Sequence, residues 1–134
     1  MDDLHRAFLD GESFAVAGAS NDRDKYGNII FRRLVASGRD VMPINPKGGT
    51  IEGADAFASI ADLPNVPESL SVVTPPSVTG QVIQQAIEAG VKHIWVQPGA
   101  VNDEASAQAR SAGINVIDDG ACVLVVLGQE HVAE

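Results

Sequence analysis

Residues 14–21 read Phe-Ala-Val-Ala-Gly-Ala-Ser-Asn, a short apolar run that stops at a glycine turn just before a helical pattern. A second apolar run ends further along the chain at the loop Asn45-Pro46-Lys47-Gly48-Gly49. A strand, a glycine turn and a helix in succession direct backbone N–H groups and a helix N-terminus at one point, which suits a phosphate. The second strand brings a lysine to the same edge. The two stretches therefore predict an α/β protein that holds a phosphorylated, nucleotide-like ligand.

The rest of the chain alternates between strand-like and helix-like segments. Strands are predicted at Ser13–Ala17, Asp40–Ile44, Ser69–Val73, His93–Val96 and Ile114–Ile117. Their short Val- and Ile-rich runs mostly lack clean alternation, which is typical of strands covered on both faces. Helices are predicted at Lys25–Ser37, Pro76–Ala89 and Asp103–Ala112, each followed by a glycine of the kind that ends helices in the left-handed conformation. In the second helix, apolar residues recur at helical spacing: Val78, Val82, Ile83, Ala86 and Ile87.

Three segments are less regular. Residues 1–12 are predicted as an amphipathic helical extension, Ala56–Leu63 as one short helix, and Ala121–Leu127 as a strand or a strand leading into a tail. Repeated strand–helix–strand units with right-handed crossovers form an open parallel sheet with helices on both faces. We therefore expect residues 1–134 to form one Rossmann-like α/β domain of about five strands in the order 3-2-1-4-5. Its ligand would lie beyond the C-terminal strand ends, at the switch between strands 1 and 4.

Length and composition exclude several classes of protein. The 134 residues suffice for one domain with a real core, and no apolar run approaches the roughly 20 residues that span a membrane. The N-terminus is acidic and lacks the apolar segment of a secretory signal. The single cysteine, Cys122, excludes an internal disulfide and fits a reducing compartment. We expect a cytoplasmic protein that does not contact the membrane.

The net charge of −9 argues against general nucleic-acid binding, but the charge is unevenly distributed. Residues 23–47 hold six of the nine basic residues and two acidic ones, so this segment is +4, and the remainder is −13. One interpretation is a local positive field for an anionic ligand. The other is an ordinary solvated helix face.

Polar residues, glycines and prolines collect where the predicted strands end. The first turn lacks the Gly-x-Gly-x-x-Gly pattern, because Gly18 is followed by no glycine until Gly27. Strand 2 ends at Asn45, where a dinucleotide-binding fold has an acidic residue for the ribose, and Lys47 follows. A lysine there favours a ligand with an extra phosphate near the ribose. Both NADP and coenzyme A meet that description.

Five motifs at strand ends closely resemble those of the small stand-alone CoA-binding domain proteins, which are similar to the N-terminal CoA-binding domain of the succinyl-CoA synthetase alpha subunit. They are Val16–Ser20, Asn45–Gly49, Thr74–Pro76, Trp95–Gly99 and Gly120–Cys122. The resemblance runs from about Ser13 to about Gly128. It implies a Rossmann-like domain that binds coenzyme A or an acyl-CoA. The first loop departs from the synthetase domain, since it reads Ala-Ser-Asn where the synthetase has a more glycine-rich turn.

The resemblance also implies roles for residues at the strand ends. Against the CoA phosphates it places the loop Gly18, Ala19, Ser20 and Asn21, with Lys25 and Tyr26 as weaker candidates. Lys47, in the loop with Asn45 and Pro46, would approach a phosphate or the adenosine end. Thr74, Pro75 and Pro76 would wall the adenine or the start of the pantetheine arm. Gln97, Pro98 and Gly99 would line the path of the arm towards the thiol. Cys122 is either a buried small hydrophobe or a thiol able to form a mixed disulfide with CoA.

Signals for catalysis are weak. The three histidines are scattered, no Ser-His-Asp arrangement or metal-binding cluster stands out, and the phosphorylated histidine of the synthetases belongs to a further domain. We expect the isolated chain to bind coenzyme A or an acyl-CoA, as a carrier or sensor, without chemistry of its own. A small NADP-dependent oxidoreductase module and a remnant that binds a partner protein are the alternatives. A homo-oligomer stays open, because no surface in the sequence identifies one.

Overall fold

The computed structural model describes residues 2–132, and its centre is a five-stranded parallel sheet. The strands are β1 (Phe14–Ala17), β2 (Val41–Ile44), β3 (Thr50–Ile51), β4 (Ala54–Asp55), β5 (Ser69–Val72), β6 (His93–Val96) and β7 (Asn115–Ile117). The α-helices are α1 (Asp3–Leu9), α2 (Tyr26–Ala36), α3 (Pro76–Ala89), α4 (Asp103–Ser111) and α5 (Val123–Val132). The predicted α/β Rossmann-like class is confirmed. Among the described helices, none is long and apolar enough to cross a membrane.

The strand order is β2-β1-β5-β6-β7, with every neighbouring pair parallel. The predicted order is wrong in one placement, because the third long strand, β5, lies between β1 and β6 instead of outside β2. Ala17 is level with Ile44 on one side and with Val72 on the other. The topological switch point, where the order of strand addition reverses, therefore falls between β1 and β5.

Pro43 gives the physical reason for this order. It lies in the middle of β2, and its carbonyl oxygen faces away from β1, accepting a hydrogen bond from the backbone N–H of Phe57 at 3.0 Å. A proline has no N–H to donate at that edge, so β2 cannot carry a full strand on its outer side. Phe57 instead makes a single bridge to Ile44. The chain then returns across β1 to form β5.

Two irregular segments also differ from the prediction. In Ala56–Leu63, only Ile60–Asp62 is helical, as one 3₁₀ turn. The last apolar run begins a helix and not a strand, because Val123, Val126 and Leu127 share one buried face at helical spacing. Helix α1 covers Asp3–Leu9, within the segment predicted as a helical extension.

Two apolar cores cover the two faces of the sheet. Helices α3 and α4 pack on one face, against residues that include Leu70 and Ile94. Helices α1, α2 and α5 cover the other face, around Phe14 and Trp95. Successive residues of β6 thus alternate between two buried faces, which explains why its sequence lacks polar alternation.

Candidate functional site

A cleft of about 840 Å³ opens at the C-terminal ends of β1, β2 and β5, at the topological switch point of the sheet. Its walls are the turns after these strands, the N-terminus of α2, one face of α3 and the turn after β6. Eleven of the residues predicted for the site line it: Gly18, Ala19, Ser20, Lys25, Tyr26, Asn45, Pro46, Thr74, Pro75, Pro98 and Gly99. The structure therefore brings together turns from four separate strands.

Gln97 lies beneath the cleft. Only 2 % of it is exposed, and its side chain donates to the Ser71 hydroxyl at 3.2 Å and accepts from the Val123 backbone N–H at 3.1 Å. This amide ties α5 to the sheet. The sequence does not indicate this contact, because the run Ala121–Leu127 predicts a strand or a strand leading into a tail.

Four more predicted residues lie outside the cleft walls. Lys47 and Pro76 are exposed, the first on the loop after β2 and the second as the first residue of α3. Cys122 is half-buried just before α5. The side chain of Asn21 turns away to the β3–β4 hairpin.

Two glycines allow the first turn to pack closely. Gly18 has a φ of 94°, and a Cβ there would overlap the carbonyl oxygen of Val73. A Cβ at Gly27 would overlap the carbonyl oxygen of Gly18 and lie 2.9 Å from its carbonyl carbon. Gly27 thus lets the first turn of α2 lie directly on the loop after β1. Gly27 follows Gly18 by nine residues, whereas the last glycine of the Gly-x-Gly-x-x-Gly pattern follows the first by five. The pattern in the sequence therefore does not indicate this role.

The helix N-termini at the cleft differ from the others. Asp2 caps α1 and Asn102 caps α4, through side-chain hydrogen bonds to the backbone N–H groups of Leu4 and Ala105. Neither α2, with Lys25 at its cap, nor α3, with Pro75, has a side-chain cap. The N–H groups of Tyr26 and Gly27 therefore stay available at the start of α2, whereas α3 begins at Pro76, which has no N–H. The dipoles of both helices favour an anion at the cleft.

Asn45 joins the ends of β1 and β2. Its amide nitrogen donates to the Ala19 carbonyl at 2.9 Å, and its amide oxygen accepts from the Lys47 backbone N–H at 2.9 Å. An acidic residue could accept the second bond but could not donate the first. Asn45 thus stands where a dinucleotide-binding fold has an acidic residue because its amide joins the loops after β1 and β2.

The β3–β4 hairpin packs against the loop after β1. Asn21 donates to the Thr50 carbonyl at 2.7 Å, and the Arg23 guanidinium contacts the Glu52 carboxylate at 3.0 Å. Asn28, fully buried on α2, donates to Glu52 at 3.1 Å. That hydrogen bond, more than the ion pair, holds the pKa of Glu52 below its ordinary value. Sequence reasoning missed Glu52, whose one signal is its place in a two-residue loop before Gly53.

Most arginines of the basic segment, residues 23–47, are bound to side chains of the protein itself. Arg23 pairs with Glu52, Arg32 donates to the Asn28 amide oxygen at 2.6 Å, and Arg39 pairs with Glu130 at 2.8 Å, where α5 meets α2. Lys25 is the basic residue of the segment that lines the cleft, beside Asp24. The field at the cleft therefore comes from one lysine and two helix N-termini more than from the whole +4 segment.

The cleft also has apolar walls. Val78 and Val82 of α3 line it, although their spacing predicts a core face, and Ile44 and Ile60 line it as well. Gln81 and Gln85, on the same face of α3, add amide groups. A cleft lined by both polar and apolar groups suits a ligand that combines phosphates with a less polar body.

The histidines whose side chains the structure describes lie away from the cleft. His93 begins β6, at the opposite end of the sheet, where burial lowers the pKa of its ring. His5 stacks on Trp95, with ring centroids 4.7 Å apart. Within residues 2–132, no group of three or more histidine, cysteine, aspartate or glutamate residues is placed to hold a metal ion.

Comparison with known families agrees with this geometry. A family model described as a CoA binding domain matches residues 12–128. The alpha subunit of the ADP-forming acetate–CoA ligase II of Pyrococcus furiosus is 31% identical over 90 residues, which cover 66% of this chain and 20% of that subunit. The chain thus spans about a fifth of the length of that relative. An uncharacterized protein of Bacillus subtilis, YneT, is 25% identical over 105 residues, 78% of each chain.

Solved structures share the fold. A hypothetical protein from Pyrococcus horikoshii OT3 superposes with a TM-score of 0.89 at 29% identity, over 98% of this chain and 91% of that one. The dinucleotide-forming acetyl-coenzyme A synthetase 1 of Ca. Korarchaeum cryptofilum gives a TM-score of 0.75 at 28% identity, over 88% of this chain but 28% of that one. The same architecture thus occurs both in small proteins and as part of larger synthetases.

Proposed function

The chain belongs to the CoA binding domain family, and from this premise we propose that its cleft binds coenzyme A or an acyl-CoA without transforming it. The observation that carries the proposal is one cleft in which two uncapped helix N-termini, a glycine turn and Lys25 meet apolar side chains of α3. Phosphates fit the first set of groups and a less polar body fits the second.

The diphosphate would lie against Gly18, Ala19 and Ser20, over the first turn of α2. Backbone N–H groups and the Lys25 ammonium would neutralise it there. Thr74 and Pro75, at the start of α3, would wall the adenine or the beginning of the pantetheine arm. Pro98 and Gly99 would line the path of the arm across the turn after β6.

Lys47 would contact the 3′-phosphate from outside the present walls. Its backbone is fixed by the Asn45 side chain, while its own side chain is exposed and free to reach over the rim. Asn21, Pro76, Gln97 and Cys122 stand further from the ligand in this proposal. Asn21 and Gln97 would act by supporting the turns, since both side chains are engaged with the protein itself.

We infer a carrier or sensor role over a catalytic one. The cleft is lined by one lysine and one aspartate and by no histidine or cysteine among the described residues. The acetate–CoA ligase subunits contain the related region as about a fifth of their length, so their activity involves much more protein than this domain.

Calorimetric titration with coenzyme A, acetyl-CoA, dephospho-CoA and NADP tests the proposal. We expect the three CoA compounds to bind at one site and NADP to bind at least about tenfold more weakly, a difference of about 1.4 kcal/mol. Lys25→Gln should weaken coenzyme A. Lys92→Gln removes the same charge on the loop before β6, at the opposite end of the sheet, and should leave the affinity unchanged. Tight binding of NADP without coenzyme A would refute the proposal and favour a redox module.

A further inference from the structure

We propose that Glu52 is a positioning residue, which clamps the loop of residues 18–24 in the conformation that receives an anionic ligand. The inference rests on the proposed function for the identity of that ligand, coenzyme A. The clamp itself is a property of the unliganded protein. It consists of the two-residue turn between β3 and β4 and the side chains that this turn contacts.

The backbone at Glu52 is unusual. Its φ of 49° is the one positive value at a non-glycine position among residues 2–132, and Gly53 follows with a φ of 81°. A two-residue hairpin loop with both central φ angles positive strongly prefers asparagine, aspartate or glycine at its first position. Glutamate is therefore not the residue that the turn itself favours. Non-glycine residues held in this region cluster at functional sites, where neighbouring contacts stabilise them.

The side chain makes contacts that account for its presence. One carboxylate oxygen accepts from the Asn28 amide at 3.1 Å, and the other hydrogen of that amide goes to the Ser20 carbonyl at 2.7 Å. Asn28 is fully buried, so its amide has no water to use instead. Together with Arg32, which donates to the Asn28 amide oxygen, Glu52 thus fixes the orientation of an amide that in turn holds Ser20, a residue of the cleft wall.

The turn reaches the loop at two further points. The backbone N–H of Glu52 donates to the Asn21 amide oxygen at 3.0 Å, while the Asn21 nitrogen donates to Thr50. The second carboxylate oxygen contacts Arg23 at 3.0 Å. One residue of the hairpin is therefore linked to three successive parts of the loop: Ser20 through Asn28, then Asn21, then Arg23.

This arrangement predicts an effect on affinity with the opposite sign to simple electrostatics. Removing a carboxylate near an anion site would by itself strengthen anion binding. Releasing the loop weakens binding, because the apparent dissociation constant rises in inverse proportion to the fraction of molecules in the competent conformation. If the clamp dominates, loss of the Glu52 side chain should weaken coenzyme A about tenfold, as when that fraction falls to about one tenth.

Four variants separate the clamp from its alternatives. Glu52→Ala and Glu52→Gly both remove the side chain, but only glycine relaxes the positive φ. Glu52→Gln keeps a hydrogen-bond acceptor for Asn28 without the charge. Asp55→Ala, on the same hairpin, removes one exposed carboxylate that makes no side-chain hydrogen bond or ion pair among the described residues.

Two measurements apply to each variant: calorimetric titration with coenzyme A, and hydrogen–deuterium exchange of the unliganded protein. The backbone N–H groups of Asp22, Asp24 and Lys25 are hydrogen-bonded within the loop, so their exchange reports on its order. We expect Glu52→Ala and Glu52→Gly to bind about tenfold more weakly and to exchange these amides faster, with β6 unchanged. Glu52→Gln should stay within about threefold of the wild type, and Asp55→Ala should match it or bind slightly tighter.

The outcomes are distinct. Wild-type affinity in Glu52→Gly would show that the position serves only the turn, and would overturn the inference. Unchanged exchange of the loop amides in both Glu52→Ala and Glu52→Gly would overturn it as well. If the wild-type protein fails to bind coenzyme A, the proposed function is refuted, and the exchange measurement still decides whether the clamp exists.

Discussion

Replacing Gly27 by alanine should separate α2 from the loop that it packs on. The added Cβ would overlap the Gly18 carbonyl oxygen and lie 2.9 Å from its carbon, whereas carbon atoms pack at about 3.5–4.0 Å. The helix or the loop must therefore move by roughly 1 Å. Such overpacking costs about 1–3 kcal/mol, and the better helix propensity of alanine recovers up to about 1 kcal/mol. We expect a net loss of about 1–2 kcal/mol in the free energy of unfolding.

Urea unfolding followed by fluorescence measures this loss, because the single tryptophan, Trp95, is fully buried. Gly128→Ala is the matched control. Gly128 lies in α5 with no atom within 4 Å of an added Cβ, so alanine there should stabilise the protein by up to about 1 kcal/mol. Coenzyme A should bind at least about tenfold more weakly to Gly27→Ala, since the first amides of α2 would move, and normally to Gly128→Ala. Equal stabilisation by both substitutions would refute the close approach.

Three further predictions concern separate features. Lys47→Ala should weaken coenzyme A by less than about 1 kcal/mol, because the side chain is exposed, and dephospho-CoA not at all; equal losses in calorimetry would remove Lys47 from the 3′-phosphate. Burial lowers the pKa of His93 from 6.5, so the unfolded chain binds this proton at a higher pH than the folded protein does. The free energy of unfolding should therefore decline below about pH 6.5, and it should decline less steeply in His93→Gln. Arg39→Lys loses the two-point contact with Glu130 and the bond to the Leu9 carbonyl, and should lower the free energy of unfolding by about 1–2 kcal/mol in urea without changing affinity for coenzyme A.

The sequence predicted the long helices well, because their ends carry local signals. Helix α3 has the predicted bounds, Pro76–Ala89, and Gly90 ends it with a φ of 87°. Asn102, a residue type preferred at N-caps, accepts a hydrogen bond from the Ala105 backbone N–H at the start of α4. The terminal helix α5 differs from the predicted strand. Its run of valine and leucine is apolar at every position from 123 to 127, which hides the helical spacing of Val123, Val126 and Leu127.

One residue in the sequence, Pro43, does indicate the observed strand order. Pro43 in the second strand indicates an edge position, since a proline cannot donate to a neighbour on its outer side. The edge of the sheet that holds the cleft could be predicted from the alternation of strands and helices alone, because the C-terminal ends of parallel strands share one edge.

The details of the site needed three-dimensional proximity. Asn21 and Glu52 are distant in the sequence and meet only because the hairpin folds back on the loop. Gln97 follows a strand directly, yet it faces inward to Ser71. Such long-range pairings leave no periodic pattern in one sequence.

Pro43 also makes one border of the sheet a poor template for a further strand. An open sheet exposes unpaired N–H and C=O groups at both borders, and another chain can add a strand there. At the β2 border, Pro43 lacks the donor, and Phe57 already bonds to its carbonyl. At the other border, β7 is only three residues long. The residue that determines where β5 lies therefore also hinders two copies of this sheet from joining edge to edge, so that its concentrated solutions should resist fibril formation.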